Sequence, residues 1–221
     1  MAQAGWLPPG QSAKPSLWVG HYGPVPRGDP ATWTLSFTVE DAEPPPSSEP
    51  GDRPPPTSAP PGDRPPSSPR AARLIGRTTV AELPSLGRAG VTSDFHCAAG
   101  RSVGDLAWTG TPTAALLAAF PPPAGVVGVM VYGEYGYSAN VRVEDLALPT
   151  SLLATHLDGA PLTPEHGWPV RLVIPHLYTH KGPKWFRGWE YLIRLRRGFW
   201  EERGHHLIGQ VWADQRYSFQ E

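Results

Sequence analysis

The segment Asp94-Phe95-His96-Cys97-Ala98-Ala99-Gly100-Arg101-Ser102 holds the only cysteine of the 221 residues. The alternation of residues before it predicts a strand over Val91–Cys97, so Cys97 lies where strand becomes loop. A lone cysteine excludes an internal disulfide and argues against a zinc site built from clustered thiolates. A single thiolate is therefore the candidate centre of the chemistry.

The rest of the chain predicts an α+β protein with short elements, because 29 prolines and 24 glycines place turns throughout it. Trp33–Val39 alternates like a strand, and Thr79–Leu83 opens a short helix capped by Thr78 or Thr79. The other predicted elements are a helix over Thr113–Phe120, one or two helical turns over Val143–Leu148, and strands over Val126–Tyr132, Leu152–Leu157, Val170–Ile174 and Tyr191–Arg196.

A proline-rich segment interrupts this pattern between Asp41 and Arg70, where the hexapeptide Pro-Gly-Asp-Arg-Pro-Pro occurs at Pro50–Pro55 and again at Pro61–Pro66. Such a composition buries too little apolar surface to offset chain entropy. We therefore predict a disordered insertion over residues 42–70 within a single domain spanning residues 1–221. A docking site for a proline-binding module is the alternative interpretation.

The charge is balanced overall but uneven along the chain. The formal net charge is −1, which gives no global attraction to nucleic acid, so no nucleic-acid partner is expected. The basic residues crowd into one stretch, which suits a compact anion: Lys181, Lys184, Arg187, Arg194, Arg196, Arg197 and Arg203.

The amino terminus and the hydropathy pattern bear on location. Met1-Ala2-Gln3-Ala4-Gly5-Trp6-Leu7 has no basic segment followed by an apolar one, and no twin-arginine pair occurs there. No apolar stretch approaches the roughly 20 residues that a membrane-spanning helix needs. From the sequence we expect a cytoplasmic protein without a membrane span.

Several separate segments carry a family resemblance in the right order. They are His21-Tyr22-Gly23-Pro24-Val25-Pro26, Asp94-Phe95-His96-Cys97, Trp108-Thr109-Gly110, Tyr135-Gly136-Tyr137-Ser138-Ala139-Asn140 with Glu144-Asp145-Leu146, residues 162–175, Lys184-Trp185-Phe186-Arg187-Gly188, and Gly198-Phe199-Trp200-Glu201 with Gln215-Arg216-Tyr217. Together they resemble the sulfite oxidase-like molybdopterin oxidoreductases, in particular short bacterial single-domain members related to the catalytic subunit of periplasmic methionine sulfoxide reductase. The spacing from His166 to Arg171 to Lys184 is the most specific part, since it resembles the family's pterin-binding segment.

The resemblance implies a sulfite oxidase-type fold, a mixed sheet with short helices and many loops, and a Mo-molybdopterin cofactor. Cys97 would be the molybdenum ligand, because a thiolate is a soft ligand for this metal. The reaction implied is transfer of an oxygen atom to or from a small substrate, with two electrons passing through the metal.

The resemblance also implies the residues that hold the pterin. Arg171 and Lys184 fit its terminal phosphate, and His166 fits a hydrogen bond to the ring or the phosphate. Gly182 would let the backbone approach closely. Tyr137 and Asn140 are further candidates near the cofactor.

One segment departs from the family pattern. After Cys97, the run Ala98-Ala99-Gly100-Arg101-Ser102 lacks the threonine found in many relatives and has an arginine where a tryptophan is expected. Arg101 is the second catalytic candidate, as the group that binds an anionic substrate, or else it points to solvent. No haem, flavin or dimerisation segment is recognised, so a separate electron-transfer protein is expected as partner.

Two other function classes stay open. Changes around Ala98–Arg101 motivate a non-catalytic member of the fold that binds the pterin, another anion or a protein. A thiol-based redox sensor would have a reactive Cys97 and no pterin.

The histidines have simpler interpretations from the sequence. We interpret His176 and His180 as loop residues and His205-His206 as surface residues. His96 is a poor base for Cys97, because neighbours on a strand point to opposite faces.

Overall fold

The computed structural model describes residues 6–41 and 72–221. The insertion predicted over 42–70 lies outside the described residues. Within them the chain forms eleven strands and two short α-helices. The strands are β1 (Ser12–Ala13), β2 (Thr34–Glu40), β3 (Ala72–Thr79), β4 (Ala89–Cys97), β5 (Arg101–Pro112), β6 (Gly128–Gly133), β7 (Ser138–Val141), β8 (Leu152–Leu157), β9 (Ala160–Pro161), β10 (Arg171–Val173) and β11 (Phe186–Leu192), and the helices are α1 (Thr113–Ala119) and α2 (Val143–Ala147).

The first sheet is built around the long strand β5. Strand β5 pairs with β4 and β8 antiparallel and with β1 in parallel, and β8 continues to β9 and β10. The hairpin between β4 and β5 is tight, since Cys97 pairs with Arg101 across it. Gly110 allows β8 to approach, because a Cβ there would lie 2.0 Å from the Leu153 carbonyl oxygen. This hairpin sets the position of Cys97.

The second sheet has the strand order β3-β2-β11-β6-β7. Strand β11 lies at its centre, in parallel with β2 and antiparallel to β6, although about 150 residues of sequence separate β2 from β11. The main core consists of fully buried side chains from this sheet and its neighbours, among them Leu35, Phe37, Val129, Trp189 and Tyr191. No helix among the described residues is long and apolar enough to cross a membrane.

The structure confirms the α+β class and most of the predicted elements. The strand predicted over Val91–Cys97 is β4, and the Thr79 cap begins a 3₁₀ helix over Val80–Leu86, where the Thr79 N–H donates to Glu82. The long strand β5 was not predicted from the sequence. The local patterns therefore did not reveal the strand around which the first sheet is built.

The strand predicted over Tyr191–Arg196 is wrong, because β11 ends at Leu192. The next two backbone N–H groups, of Ile193 and Arg194, donate to the Glu40 carboxylate at 3.1 and 3.2 Å. A side-chain acceptor thus takes the place of a strand partner, and local alternation of apolar residues could not show it.

Candidate cofactor and active site

A cavity of about 670 Å³ opens beside the end of β4. Five parts of the chain line it: the segment from Leu17 to Tyr22, the β4–β5 hairpin, the connection between β6 and β7, β10 with the loops on either side of it, and the carboxy-terminal segment. Most of the family motifs that are scattered along the sequence therefore contribute residues to one cavity. Its size is that of a site for a cofactor or small ligand.

Cys97 lies at the carboxyl end of β4 and lines this cavity as a free, half-buried cysteine. The hairpin turn holds its backbone, since the Cys97 carbonyl accepts the Gly100 N–H at 2.9 Å and the Gln11 side-chain amide at 3.2 Å. Ala98, which follows it, also lines the cavity and packs in a buried apolar cluster with Tyr178 and Val211. The thiol is therefore accessible from the cavity on a fixed backbone.

His96 lies on the other side of the strand, as predicted. It is buried, does not line the cavity, and its Nδ1 lies 2.7 Å from the Ser102 hydroxyl, which in turn donates to the Gln11 side chain. Burial lowers the pKa of His96, so the ring stays neutral at neutral pH. The geometry therefore does not make His96 the base of a Cys-His pair with Cys97.

Arg171 is the first residue of β10 and lines the cavity. Its side chain is 3% exposed and its guanidinium carbon lies 4.7 Å from the Phe95 ring centroid and 5.4 Å from that of Trp108. One nitrogen donates to the His166 carbonyl at 3.2 Å, whereas the buried Nε has no hydrogen-bond partner among the described residues. Burial lowers its pKa to about 10, so Arg171 still carries its charge at neutral pH.

Lys184 and His166 lie next to Arg171, as the sequence spacing predicted. Lys184 Nζ donates to the carbonyls of Gly20 and Glu165, at 2.9 and 2.6 Å. Burial lowers the pKa of Lys184 to about 8, and the charge of Arg171 adds to this effect. Burial also lowers the pKa of His166, whose Nε2 is buried without a partner in residues 6–41 and 72–221.

The charges around the cavity are strongly unbalanced. Four cationic side chains line it, Arg101, Arg171, Lys184 and Arg203, against a single carboxylate, that of Glu134. This carboxylate is already paired with Arg187, which lies outside the lining. Part of the described lining thus carries positive charge that no protein carboxylate neutralises. An anionic ligand is the chemical complement of such a site.

The remaining site residues divide into two groups. Arg101 lines the cavity with its guanidinium carbon 5.1 Å from the Trp18 ring centroid, and Tyr137 lines it while its hydroxyl donates to the His180 carbonyl at 2.7 Å. Asn140 does not line it: its side-chain amide donates to the Arg196 carbonyl at 2.9 Å. The position of Asn140 therefore does not support the prediction that this residue lies near the cofactor.

Gly182 lines the cavity, but its tight contact is with the protein itself. A Cβ there would lie 2.4 Å from the Leu172 carbonyl oxygen, so glycine is needed where two backbones meet. Gly182 was predicted to let the backbone approach the cofactor closely, but the close approach seen here is between two segments of the protein backbone. It brings the start of the Lys184 segment onto β10.

Two histidines of the cavity wall could not be recognised from the sequence. His180 and His205 both line the cavity, with ring centroids 4.8 Å apart, although His180 was interpreted as a loop residue and His205 as a surface residue. Burial lowers the pKa of both rings, and that of His180 falls well below its usual value. His206, also predicted at the surface, is 3% exposed and its Nδ1 accepts the N–H groups of Ile208 and Gly209. The nearby Gly198-Phe199-Trp200-Glu201 motif was the signal that this segment belongs to the site.

The fold and the site define a molybdopterin-binding oxidoreductase domain. Residues 75–200 match the family model described as "Oxidoreductase molybdopterin binding domain", and this match covers more than half of the chain. The chain belongs to this sulfite oxidase-like family, as the ordered motifs predicted.

Individual relatives agree with this assignment. The chain is 40% identical over 129 residues to the "Uncharacterized oxidoreductase YuiH" of Bacillus subtilis, covering 58% of this chain and 64% of that protein. It is 33% identical over 92 residues to the "Protein-methionine-sulfoxide reductase catalytic subunit MsrP" of Xanthomonas campestris, covering 35% of this chain and 29% of that protein. The chain thus spans less than two thirds of the length of these relatives.

A solved structure has the same fold. The sulfane dehydrogenase SoxCD from Paracoccus pantotrophus superposes with a TM-score of 0.56 and 16% identity, over 79% of this chain and 41% of that one. At this level of identity the match supports the fold alone.

The residues of the cavity fit the cofactor of this family. A phosphate-bearing pterin is an anion with many hydrogen-bonding atoms, and the cavity offers surplus positive charge with unpartnered buried nitrogens on Arg171 and His166. A half-buried thiol, the soft ligand that molybdenum binds, lines the same cavity. Mo-molybdopterin is therefore the cofactor that the family and the site both indicate.

Proposed function

We propose that this chain is a molybdenum-cofactor-dependent oxidoreductase that transfers an oxygen atom to or from a small substrate, with Cys97 as the metal ligand. The observation that carries the proposal is the meeting of Cys97, Arg171, Lys184 and His166 around one cavity. Arg171 and His166 reach this cavity with nitrogens that no described protein group satisfies. Most buried donors in native proteins are paired, so unpartnered nitrogens on two cavity-lining side chains of this kind support the binding of a ligand there.

Each residue has a distinct role in this proposal. Arg171 and Lys184 neutralise the phosphate of the cofactor, and His166 donates or accepts a hydrogen bond beside them. Arg101, on the hairpin next to Cys97, attracts an anionic substrate toward the thiol. Tyr137 keeps its proton at any ordinary pH, because burial raises its pKa strongly, so its hydroxyl serves as a neutral hydrogen-bonding group.

When bound, the cofactor supplies the two-electron chemistry of oxygen transfer. The protein contributes the enclosure, the charge and the ligand. Aromatic side chains cover the cavity on two sides: Trp18 and Tyr22 from the amino-terminal segment, and Phe199 and Trp200 from the carboxy-terminal one. They limit the water around the site, which strengthens the electrostatic interactions inside it.

The metal and pterin content of the purified protein tests this proposal. The full chain is expressed in cells competent for molybdenum cofactor synthesis, together with the variants Cys97→Ser and Thr92→Ser. Thr92 lies on the same strand but is exposed and does not line the cavity, so it is a matched control. We expect one molybdenum per chain in the wild-type protein and in Thr92→Ser, and loss of the metal in Cys97→Ser.

Two results would contradict the proposal. Folded wild-type protein without metal or pterin, from cells that make both, would favour the non-catalytic binding module. Full metal content in Cys97→Ser would exclude the thiolate as ligand. If the metal is present, turnover with a reduced dye and a panel of small oxo compounds then tests oxygen transfer, which should be lost in Cys97→Ser.

The proposal includes a separate electron-transfer protein as partner, since the chain carries no recognised haem or flavin segment. Reduction of the loaded protein by candidate partner fractions, followed by the absorbance of the metal site, is the measurement. Reduction by small dyes only, and by no protein fraction, would count against such a partner.

We further propose a cytoplasmic location, in keeping with a chain whose only cysteine needs no oxidising compartment. Cell fractionation with an antibody against the full chain tests it. Recovery of the protein outside the cytoplasmic fraction would overturn it.

A further inference from the structure

The carboxy-terminal wall, residues 198–217, forms one side of the cavity with little regular structure of its own. Among the described residues it contains one 3₁₀ turn, Glu201–Arg203, one isolated bridge to another segment, from Gln210 to Leu177, and one isolated bridge within itself, between His205 and Tyr217. Even so, it contributes five side chains to the cavity lining: Phe199, Trp200, Arg203, His205 and Tyr217. Something other than strand pairing must hold it in place.

A buried ion pair joins this wall to the rest of the fold. Lys181 and Glu201 are in direct contact, and both side chains are fully buried. Lys181 Nζ also donates to the Asn140 carbonyl at 2.9 Å and to the Leu207 carbonyl at 2.5 Å. The three protons of the ammonium group therefore all have acceptors, one on β7 and two on the wall.

Glu201 fixes the same junction from the wall side. Its Oε1 accepts the backbone N–H of Asn140 at 3.0 Å as well as the Lys181 proton. Three residues earlier, Gly198 lies so close to β7 that a Cβ would be 2.6 Å from the Ala139 Cα. The wall is thus pinned to β7 at its start, and to Lys181 just before the cavity-lining turn.

Hydrogen bonds in the turn that begins at Glu201 connect this fixed point to the residues that line the cavity. The Trp200 carbonyl accepts the N–H groups of both Arg203 and His205 at 3.0 Å. The Trp200 and His205 rings are 5.1 Å apart, and the His205 ring contacts that of His180, the residue before Lys181. The positions of Trp200 and His205 on the cavity therefore depend on where Glu201 is held.

We propose that Lys181 and Glu201 are a positioning pair for the cavity, which holds the carboxy-terminal wall closed over the bound ligands and so governs substrate affinity. A buried ion pair adds little net stability compared with apolar residues of the same volume, because both charges lose their hydration. A gain in stability therefore does not explain why this ion pair is present. The three directional contacts of the Lys181 ammonium group instead fix the position of the wall. The effect on substrate rests on the proposed function; the effect on the wall does not.

Hydrogen exchange of the full chain, purified with its cofactor, tests the proposal with three variants. Glu201→Gln weakens the pair, and Lys181→Met/Glu201→Gln removes both charges so that no uncompensated charge stays buried. Arg142→Met is the control, because it breaks an ion pair with Asp145 at 2.6 Å that does not line the cavity. In the first two variants we expect amides of residues 198–210 to exchange about tenfold faster, with strands β8 and β11 unchanged.

Steady-state kinetics supply the second readout. In the two wall variants we expect KM for the substrate to rise about tenfold while kcat changes less than about threefold, with metal and pterin content preserved. Arg142→Met should leave both KM and the exchange of the wall unchanged.

Two exchange results would overturn the proposal. One is unchanged exchange of the wall in the double variant, and the other is faster exchange spread evenly over both sheets. The same exchange comparison can be made on cofactor-free full chain, so protein that proves metal-free would refute the proposed function and still test the positioning pair.

Discussion

Two buried cations ten residues apart, Arg171 and Lys181, are treated in opposite ways by this fold. Lys181 has a protein acceptor for each of its three protons, including the carboxylate of Glu201. Arg171 is equally buried but has one carbonyl contact, two aromatic faces and an unpartnered Nε among the described residues. A buried cation that the protein satisfies belongs to the architecture, whereas one left unsatisfied indicates a ligand.

The largest expected effect on stability comes from removing the charge of Lys181, the cation whose protons all have protein acceptors. Lys181→Met leaves the Glu201 carboxylate buried without a counter-charge, so we expect the free energy of unfolding to fall by about 3–5 kcal/mol. Urea unfolding followed by tryptophan fluorescence measures it. Adding Glu201→Gln should recover most of the loss, because the neutral pair leaves no unpaired charge. A double variant no more stable than Lys181→Met would show that the pair is not the source of the effect.

Removing the charge of Arg171, the cation with an unpartnered nitrogen, should have the opposite effect on the stability of the cofactor-free protein. In cofactor-free protein we expect Arg171→Met to change the free energy of unfolding by less than about 1 kcal/mol, or to raise it, since a costly buried charge is removed. In cells that make the cofactor, the same variant should lose most of its pterin. Parallel unfolding curves and pterin assays check both parts, and a loss of several kcal/mol without cofactor would break the comparison.

The charge of Lys184, a second cation of the cavity, should make anion binding depend on pH. Its pKa of about 8 in the ligand-free protein means that it is charged below pH 8 and neutral above it. Affinity for inorganic phosphate should therefore fall as pH rises through 8, by up to about tenfold per pH unit. Titration calorimetry between pH 7 and 9.5 measures this dependence on cofactor-free full chain.

Lys184→Arg is the matched variant for this experiment, because a guanidinium keeps its proton throughout the range. Its phosphate affinity should vary less with pH than that of the wild-type protein. Parallel curves for the two proteins would mean that another group governs the binding.

The smallest effect is expected at Arg101, which lies on the cavity but is only half-buried. Its guanidinium has one observed contact, over the Trp18 ring, worth about 0.5–1 kcal/mol at most. Arg101→Gln should therefore leave stability and cofactor content nearly unchanged and raise KM for an anionic substrate. Kinetics with one anionic and one neutral substrate check it, and equal effects on both would place Arg101 outside substrate binding.

Much of the site was predictable because the family motifs carry it. Cys97, His166, Arg171 and Lys184 were all proposed from the family resemblance, and the structure brings all four to one cavity. His180 and His205 were missed, since nothing local distinguishes a histidine in a loop from one on a cavity wall. Asn140 was assigned to the cofactor, although β7 uses its amide to hold the Arg196 carbonyl.

The sequence by itself determined the class of the fold, the single thiol and the set of basic residues, because these depend on composition, alternation and motif order. Only the tertiary structure decided which of those basic residues are satisfied. Lys181 and Lys184 are three residues apart and look alike in the sequence, yet the first is neutralised by Glu201 and the second lines the cavity. The reason is physical: a charge is compensated by groups brought close in space, and contacts between residues far apart in sequence decide which groups those are.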